Sequence, residues 1–408
     1  MALVGHSPLP IRLHRREPSR PQIHQTDRLI RLPDKLILHI LDFLARESTH
    51  DLRSLALVSR RYHTLADRIL YRRILFDSPE HHVILGESLK RRPRRGSLIQ
   101  DLKLEYPNPE AMLNSCIEQQ NQLNHNTDIL SRTLSAMSNL ETLDIAIPIK
   151  FLEAVGPVFN GPFDLACLKH CSLHFQSADK QYWDLRESIH VFTHPTLESL
   201  TIKRAKLDER GFDLTERPHS TALKSLRLVE CDIDSDSLGD ILEFPEGLVE
   251  LYMYHTAEPE PELEENCEDF SDNIMSLKGQ CETMEIISID FPTLGGRKPL
   301  RLREFAAVKT LQLNFDTQLF GKTGKKPRMH SVGLPPNLRT LEFFNPLGDD
   351  ETVLDLFVIM IDGIDFMARE LETLILVEGA DGIPDQIKKA CEGKKFTIEI
   401  RSPRDTAA

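Results

Sequence analysis

Two cysteines and two histidines stand close together near the middle of the chain: Cys167, His170, Cys171 and His174. Thiolates and imidazoles are the ligands that Zn²⁺ prefers, but a structural zinc site needs four of them, usually as two pairs from separate segments. No second pair with matching spacing occurs elsewhere in the sequence, and Cys171 falls where a side chain should enter a core. We therefore expect packing rather than metal binding here.

Motifs that carry bond-making chemistry do not occur in the sequence. We find no H-E-x-x-H, no G-x-S-x-G, no phosphate-binding loop and no G-x-G-x-x-G. Carboxylates are abundant, but no pattern forces two of them together. We expect no enzymatic activity and no cofactor. The alternative is a hydrolase or transferase hidden in the repeats that begin after residue 98, which a polar pocket with perturbed pKa values would reveal.

The strongest signal in the chain is a short apolar pattern that recurs ten times after residue 98. Each copy reads apolar, two residues, apolar, one residue, apolar. The last two apolar positions flank one polar residue, as in a strand with one buried face. Such units bury little surface alone and are stable only when stacked. The copies start at Ile99, Leu140, Leu168, Leu197, Leu223, Leu248, Met284, Val308, Leu338 and Leu371.

If the ten strands form one parallel sheet, the residues of its open face can be read from the alternation. That face would include Arg227, Tyr252, Tyr254 and Phe344. Arginine and aromatic residues dominate the energetics of protein interfaces. We predict that these four residues form a partner-binding patch. The alternative is that the aromatic residues only pack against neighbours on adjacent strands.

Charge divides the chain into two parts. The net charge is −13 overall, yet residues 1–100 carry a net +9 and the remaining residues a net −22. The repeat region would repel phosphate, so we expect no nucleic-acid partner. The basic N-terminal part could still meet an acidic protein.

Cysteine usage and hydropathy bear on the compartment. The seven cysteines are unevenly spaced and odd in number, which suits free thiols in a reducing environment. No stretch approaches the roughly 20 apolar residues that cross a bilayer, and the N-terminus has no apolar signal region. We expect no membrane association and a cytoplasmic or nuclear location.

A short helical pattern precedes the repeats. Leu32-Pro33 is followed by apolar residues at helical spacing up to Leu44, and Asp51 and Ser59 are suitable caps for two further helices. Three helices in so short a segment bury too little apolar surface to be stable alone. The first helix is apolar over more than one face, so we expect part of it to meet a partner.

Both regions resemble known families. The segment from Leu32-Pro33-Asp34-Lys35-Leu36 to Leu44, with Leu57-Val58-Ser59-x-x-Tyr62 after it, closely resembles an F-box. The run Leu223-x-x-Leu226-x-Leu228-x-x-Cys231-x-Ile233 resembles a leucine-rich repeat, and the array is irregular in its other copies. The resemblance implies an α/β fold: a short three-helix F-box, then a leucine-rich-repeat solenoid with a curved parallel β-sheet and helices or loops on the convex side.

The F-box resemblance also implies partners. F-box helices dock on the Skp-type adaptor of a cullin–RING ubiquitin ligase, and leucine-rich repeats then take the substrate protein. A scaffold that works outside ubiquitination is one alternative. Another is a repeat-only protein in which residues 29–76 cap the stack. The family's adaptor-contacting positions map to Leu32, Pro33, Leu36, Ile37, Ile40, Leu41 and Val58.

The predicted boundaries follow from these patterns. Residues 1–28 form a disordered basic tail, 29–76 the F-box, 77–97 a basic linker, 98–400 the repeats and 401–408 a second tail. The Lys90–Arg95 run in the linker could alternatively be a nuclear address. The acidic run from Glu258 to Asp272 is expected to be a disordered loop, or else to hold a basic substrate.

Overall fold

The structure is a computed structural model that divides into two units, Met1–Leu70 and Tyr71–Ala408. We call them the helical unit and the repeat unit. The predicted tail at 1–28 and residues 403–408 of the second predicted tail lie outside the described residues. The structure describes residues 31–106, 129–159, 165–177, 179–208, 210, 212, 220–256, 258–264, 270–291, 301–314, 333–346 and 351–402.

Three α-helices make up the described part of the helical unit: α1 (Asp34–Glu47), α2 (Thr49–Ala56) and α3 (Arg60–Leu70). The carbonyl oxygen of Pro33 accepts from the backbone N–H of Ile37, which starts α1. The Ser48 hydroxyl accepts from the Asp51 N–H at 3.2 Å and caps α2. Asp51, the predicted cap, instead lies in the first turn, where its charge favours the helix dipole.

The core of the helical unit is small. It consists of Ile37, Leu41, Leu52, Ala56, Tyr62, Leu65 and Ala66. α1 contributes two of these residues, four positions apart, because one turn of helix returns a side chain to the same face. A core of seven side chains leaves much of the apolar surface of the three helices uncovered.

Parallel strands form the repeat unit, and a helix or loop returns the chain between them. In the described residues the main sheet has twelve strands in the order β1-β2-β3-β4-β6-β8-β10-β11-β12-β13-β14-β15. A second sheet, β5-β7-β9, flanks it. The bounds are β1 Arg73–Phe76, β2 Asp101–Glu105, β3 Thr142–Pro148, β4 His170–Gln176, β5 Trp183–Asp184, β6 Ser199–Lys203, β7 Ala205–Leu207, β8 Ser225–Val229, β9 Asp232–Ile233, β10 Glu250–Tyr254, β11 Ile286–Asp290, β12 Thr310–Leu313, β13 Thr340–Phe343, β14 Thr373–Val377 and β15 Thr397–Arg401.

The inward apolar positions predicted for the strands of the ten repeats are confirmed, since all of them are buried. Leu226 and Leu228 of β8 are buried while Arg227 between them is exposed. Leu251 and Met253 of β10 pair in register with those leucines and are buried as well. Equivalent positions stack from strand to strand, so the apolar residues form one continuous core. The predicted α/β solenoid-like architecture is therefore correct.

Helices pack on the core side of the sheet. The α-helices are α4 (Pro79–Arg91), α5 (Leu152–Val155), α6 (Ser235–Ile241), α7 (Phe270–Ser276), α8 (Glu351–Met367) and α9 (Asp385–Cys391). The 3₁₀ helices are Pro93–Leu98, Ile149–Phe151, Gly156–Phe159, Leu185–Thr193, Leu277–Gln280 and Leu302–Glu304. No helix in the described ranges is long and apolar enough to span a membrane.

The linker predicted at 77–97 is wrong as a description of the structure. This segment holds α4 and a 3₁₀ helix, and Leu85 and Leu89 of α4 are buried in the core of the repeat unit. The basic residues at the end of α4 lie where cations favour the helix dipole. The sheet also begins earlier than predicted, with β1, and its last strand extends through Arg401 into the predicted tail.

The first part of the acidic run, residues 258–264, is not the disordered loop that we expected. Residues 258–264 lie along the second sheet, where Lys180 and Lys206 pair with Glu260 and Glu264 at 3.1 and 2.6 Å. Residues 265–269 lie outside the described residues.

Candidate protein-binding surfaces

The face of the main sheet opposite the core, here called the outward face, carries the residues that alternate with the apolar ones. Arg227 and Tyr252 stand directly opposite each other on β8 and β10. The guanidinium carbon of Arg227 lies 4.0 Å from the centroid of the Tyr252 ring, a cation–π arrangement. Two of the four predicted patch residues are therefore in contact.

The other two predicted residues differ in their placement. Tyr254 is two positions beyond Tyr252 on the same strand, so it shares the outward face, and it is 40% exposed. Phe344 is half-buried and lies just past the end of β13, three strands from β10. Strands are about 4.8 Å apart, which puts Phe344 roughly 14 Å away. Arg227, Tyr252 and Tyr254 thus lie together on the outward face, and Phe344 lies apart from them.

The C-terminal part of the outward face is closed, contrary to the expectation of an open face. Glu342, Ile375 and Val377 are buried, although their positions alternate with core residues. Glu342 pairs with Arg401 and accepts from Gln312 at 2.6 Å. The exposed, polar part of the outward face therefore lies on strands before β13 in the sheet order, and it includes β4, β6, β8 and β10.

The cysteine and histidine residues around β4 are divided between the two faces of the sheet. Cys171 is buried, and burial raises the pKa of its thiol. His170 and His174 alternate with it and face outward. Within the described ranges no three His, Cys, Asp or Glu side chains are grouped so as to hold a metal ion.

An apolar stripe runs along α1 of the helical unit. Leu36, Ile40 and Phe43 follow at spacings of four and three, so they share one face, and all three are exposed. Leu57 and Val58, directly after α2, are 86% and 67% exposed. Scattered apolar residues are ordinary on surfaces, but five in so small a unit indicate a site of interaction.

Arg61 of α3 fixes the start of α1. Its guanidinium donates two hydrogen bonds to Asp34 Oδ1, at 2.9 and 2.7 Å, and one to the carbonyl oxygen of Leu32 at 2.6 Å. These bonds hold the Leu-Pro segment against α3. Leu32 is half-buried, and Pro33 is exposed at the head of the stripe.

A comparison with protein-family models gives the unit its name. Residues 29–77 match the F-box-like family. The helical unit contains an F-box-like domain. The match covers α1 to α3 and β1 and does not extend into the rest of the repeat unit.

The other two comparisons are less informative. No curated protein sequence matches the chain. Among solved structures the chain is similar to one described as the crystal structure of a Rad7 and Elc1 complex in yeast, with 14% identity and a TM-score of 0.36 over 90% of this chain and 92% of that chain. The fold is therefore assigned from the strand order and register of this chain alone.

The F-box-like domain exposes only some of the seven positions that the resemblance implied. Ile37 and Leu41 are 2% and 0% exposed and belong to the domain's own core, so they cannot touch a partner without unfolding. Phe43 and Leu57, which the sequence analysis omitted, are among the most exposed apolar residues. The spacing of Phe43 seven residues after Leu36 was the available signal, since it returns to the same helix face.

Proposed function

We propose that this chain is the substrate-recognition subunit of an SCF-type cullin–RING E3 ubiquitin ligase. In this proposal the F-box-like domain binds a Skp-type adaptor, and through it a cullin, while the repeat unit binds a substrate protein. The chain itself performs no bond chemistry. It raises the effective concentration of the substrate near the ligase.

The observation that carries the proposal is the exposed stripe of Leu36, Ile40 and Phe43 on a domain that matches the F-box-like family. F-box helices bind their adaptor through apolar contacts, and a three-helix unit with so small a core gains stability when such a surface is covered. The repeat unit supports the second half of the proposal, because stacked parallel strands offer an extended face for a macromolecule.

Adaptor binding tests the first half. We expect wild-type protein to bind a purified Skp-type adaptor in a pull-down or by calorimetry, and Leu36→Asp and Ile40→Asp each to weaken binding more than about tenfold, since a charge is then buried unpaired in the interface. Thr64→Asp is the matched control: it adds the same charge at an exposed position of α3, where the native hydroxyl bonds only within its own helix.

Binding by all three variants at the wild-type level would contradict the adaptor-binding stripe. A variant that loses its helical circular dichroism would be uninformative by itself, so binding is compared only among variants with wild-type thermal unfolding. Absence of wild-type binding would favour the role of a cap on the repeats.

A second measurement separates a ligase subunit from a scaffold. If the chain acts in ubiquitination, a cullin should co-purify with it through the adaptor, and Leu36→Asp should remove both proteins together. Retention of the adaptor with no cullin would contradict the proposal and favour a role outside ubiquitination.

A further inference from the structure

Two cations lie on the outward face of the main sheet, Lys203 of β6 and Arg227 of β8. Other cations of the sheet have carboxylate partners, such as Arg73 with Asp101 at 2.8 Å and Lys103 with Glu105 at 2.9 Å. Lys203 and Arg227 are exposed and have no carboxylate within ion-pair distance among the described residues. They lie on a part of the chain, residues 101–408, whose net charge is −22.

The strand register places these two cations together. Arg227 lies opposite Thr201, and Lys203 is two positions further along the same strand, opposite Val229. Diagonal neighbours of this kind have Cα atoms about 7–8 Å apart. Long side chains at that distance can reach the same acidic residue or two successive ones of an extended segment.

Aromatic, carboxylate and imidazole groups surround the two cations. The Tyr252 ring backs Arg227, and the neighbouring Glu250 carboxylate accepts from the Ser225 hydroxyl at 3.0 Å. His174 lies opposite Lys203. Its pKa is lowered, first by burial and then by the charges of Lys203 and Arg204, so the imidazole adds no charge at neutral pH.

The chain already holds an acidic segment beside this surface. Arg204, next to Lys203 in sequence, donates to the carbonyl oxygen of Glu260 at 2.6 Å, and Lys180 pairs with the Glu260 carboxylate. Lys206 pairs with Glu264. The cations at the ends of these strands thus bind an extended acidic stretch through carboxylates and backbone carbonyls. Lys203 and Arg227 are cations of the same kind on the outward face, with no carboxylate partner among the described residues.

We propose that the outward face of β4, β6, β8 and β10 binds an extended acidic segment of the substrate protein. Arg227 and Lys203 contact its carboxylates, and Tyr254 packs against an adjacent side chain. This inference rests on the proposed function and adds to it the chemical class of the substrate. Charge complementarity selects an acidic occupant, because a basic segment would face two unpaired cations.

Fluorescence anisotropy with the full chain tests this surface. The probes are fluorescein-labelled peptides of alternating Glu and Val, a twin with Gln for Glu, and a twin with phosphoserine for Glu. We expect the Glu peptide to bind, the Gln peptide not to bind, and affinity to fall with added salt.

Three alanine substitutions test which residues of the surface bind the Glu peptide. Arg227→Ala and Lys203→Ala should each weaken the Glu peptide roughly tenfold, as for the loss of one charge-assisted hydrogen bond. Lys388→Ala is the matched control, because it removes one exposed lysine from α9. It should leave affinity unchanged. Fluorescence of Trp183, the single tryptophan, buried behind this face, reports whether each variant is folded.

Several results would overturn the inference: no binding of the Glu peptide, equal binding of the Gln peptide, equal effects of all three variants, or binding of the phosphoserine peptide alone, which would make the surface a phosphate site. The adaptor assay uses the same protein preparations. Adaptor binding without peptide binding therefore overturns the acidic-segment inference and leaves the proposed function standing, whereas the reverse result removes the ligase role but keeps the surface.

Discussion

The two units handle the same apolar residue types in opposite ways. In the helical unit, Leu36, Ile40, Phe43, Leu57 and Val58 face outward over a core of seven side chains. In the repeat unit the inward apolar residues of β2 to β14 are buried against their neighbouring strands, and the outward face between β4 and β10 is mainly polar and aromatic.

The difference distinguishes two kinds of binding surface. An apolar stripe on a unit with a small core suits a permanent partner that also stabilises the unit, because uncovered apolar surface is unfavourable in water. A polar face with cations, on a repeat unit that has its own large core, suits a transient partner. Charges at an accessible surface raise the association rate more than they raise the affinity. The helical unit is thus suited to assembly and the repeat unit to recognition.

The largest expected effect is a core truncation that breaks only one unit. Leu41→Ala should cost about 2–5 kcal/mol of the unfolding free energy of the helical unit, because Leu41 is fully buried. A unit this small has little stability to lose. The fluorescence of Trp183 should show the repeat unit unfolding at the wild-type temperature. The circular dichroism signal of the helices in residues 31–70 should be lost.

Leu36→Ala serves as the control for this truncation, since it removes the same atoms from an exposed position on the same helix. It should change stability by less than about 0.5 kcal/mol. A loss equal to that of Leu41→Ala would show that the stripe is covered within the chain.

Acid should lower the stability of the repeat unit through protonation of His255. Burial lowers the pKa of this histidine from 6.5 to about 4, and its ring lies 4.3 Å from that of Phe291. The unfolded state then binds more protons than the folded state between those values, so stability falls as the pH is lowered from 6.5 towards 4. The full loss is roughly 3 kcal/mol.

Chemical denaturation followed through Trp183 at several pH values measures this slope. His255→Leu should flatten it between pH 6.5 and 4, because the residue that takes up the proton is gone. An unchanged slope in the variant would show that other groups cause the acid sensitivity.

The smallest expected effect is that of replacing one tyrosine by phenylalanine in each unit. The two replacements should change the stability of their units in opposite directions. Tyr62 is buried in the helical unit, and its hydroxyl has no hydrogen-bond partner among the described residues. Tyr106 is buried in the repeat unit, and its hydroxyl lies 2.6 Å from Nδ1 of His82. Tyr62→Phe should stabilise the helical unit by up to about 1 kcal/mol, and Tyr106→Phe should destabilise the repeat unit by about as much.

Thermal unfolding of each variant, read by helical circular dichroism for Tyr62→Phe and by Trp183 for Tyr106→Phe, measures both effects. Destabilisation by both substitutions would mean that Tyr62 also has a partner for its hydroxyl.

The sequence predicted the strands of the repeats, whose apolar residues recur with a short period. Alternation in the ten repeats identified two buried apolar residues in every strand from β2 to β14 of the main sheet, because a strand with one face in a core has a period of two. It failed where burial depends on what lies across a face. Glu342 and Ile375 occupy outward positions and are buried all the same. The basic run at Lys90–Arg95 suggested a linker, but Leu85 and Leu89 attach α4 to the core.

In the candidate sites, the sequence by itself determined that α1 is apolar on more than one side and that Arg227, Tyr252 and Tyr254 share one face. Only the tertiary structure decided that Ile37 and Leu41 turn inward while Leu36, Ile40 and Phe43 remain uncovered. Helical period fixes which residues share a face, but the packing of α2 and α3 decides which face is buried. In the same way, the sequence showed that Lys203 and Arg227 are cations, and strand register decided that they are neighbours.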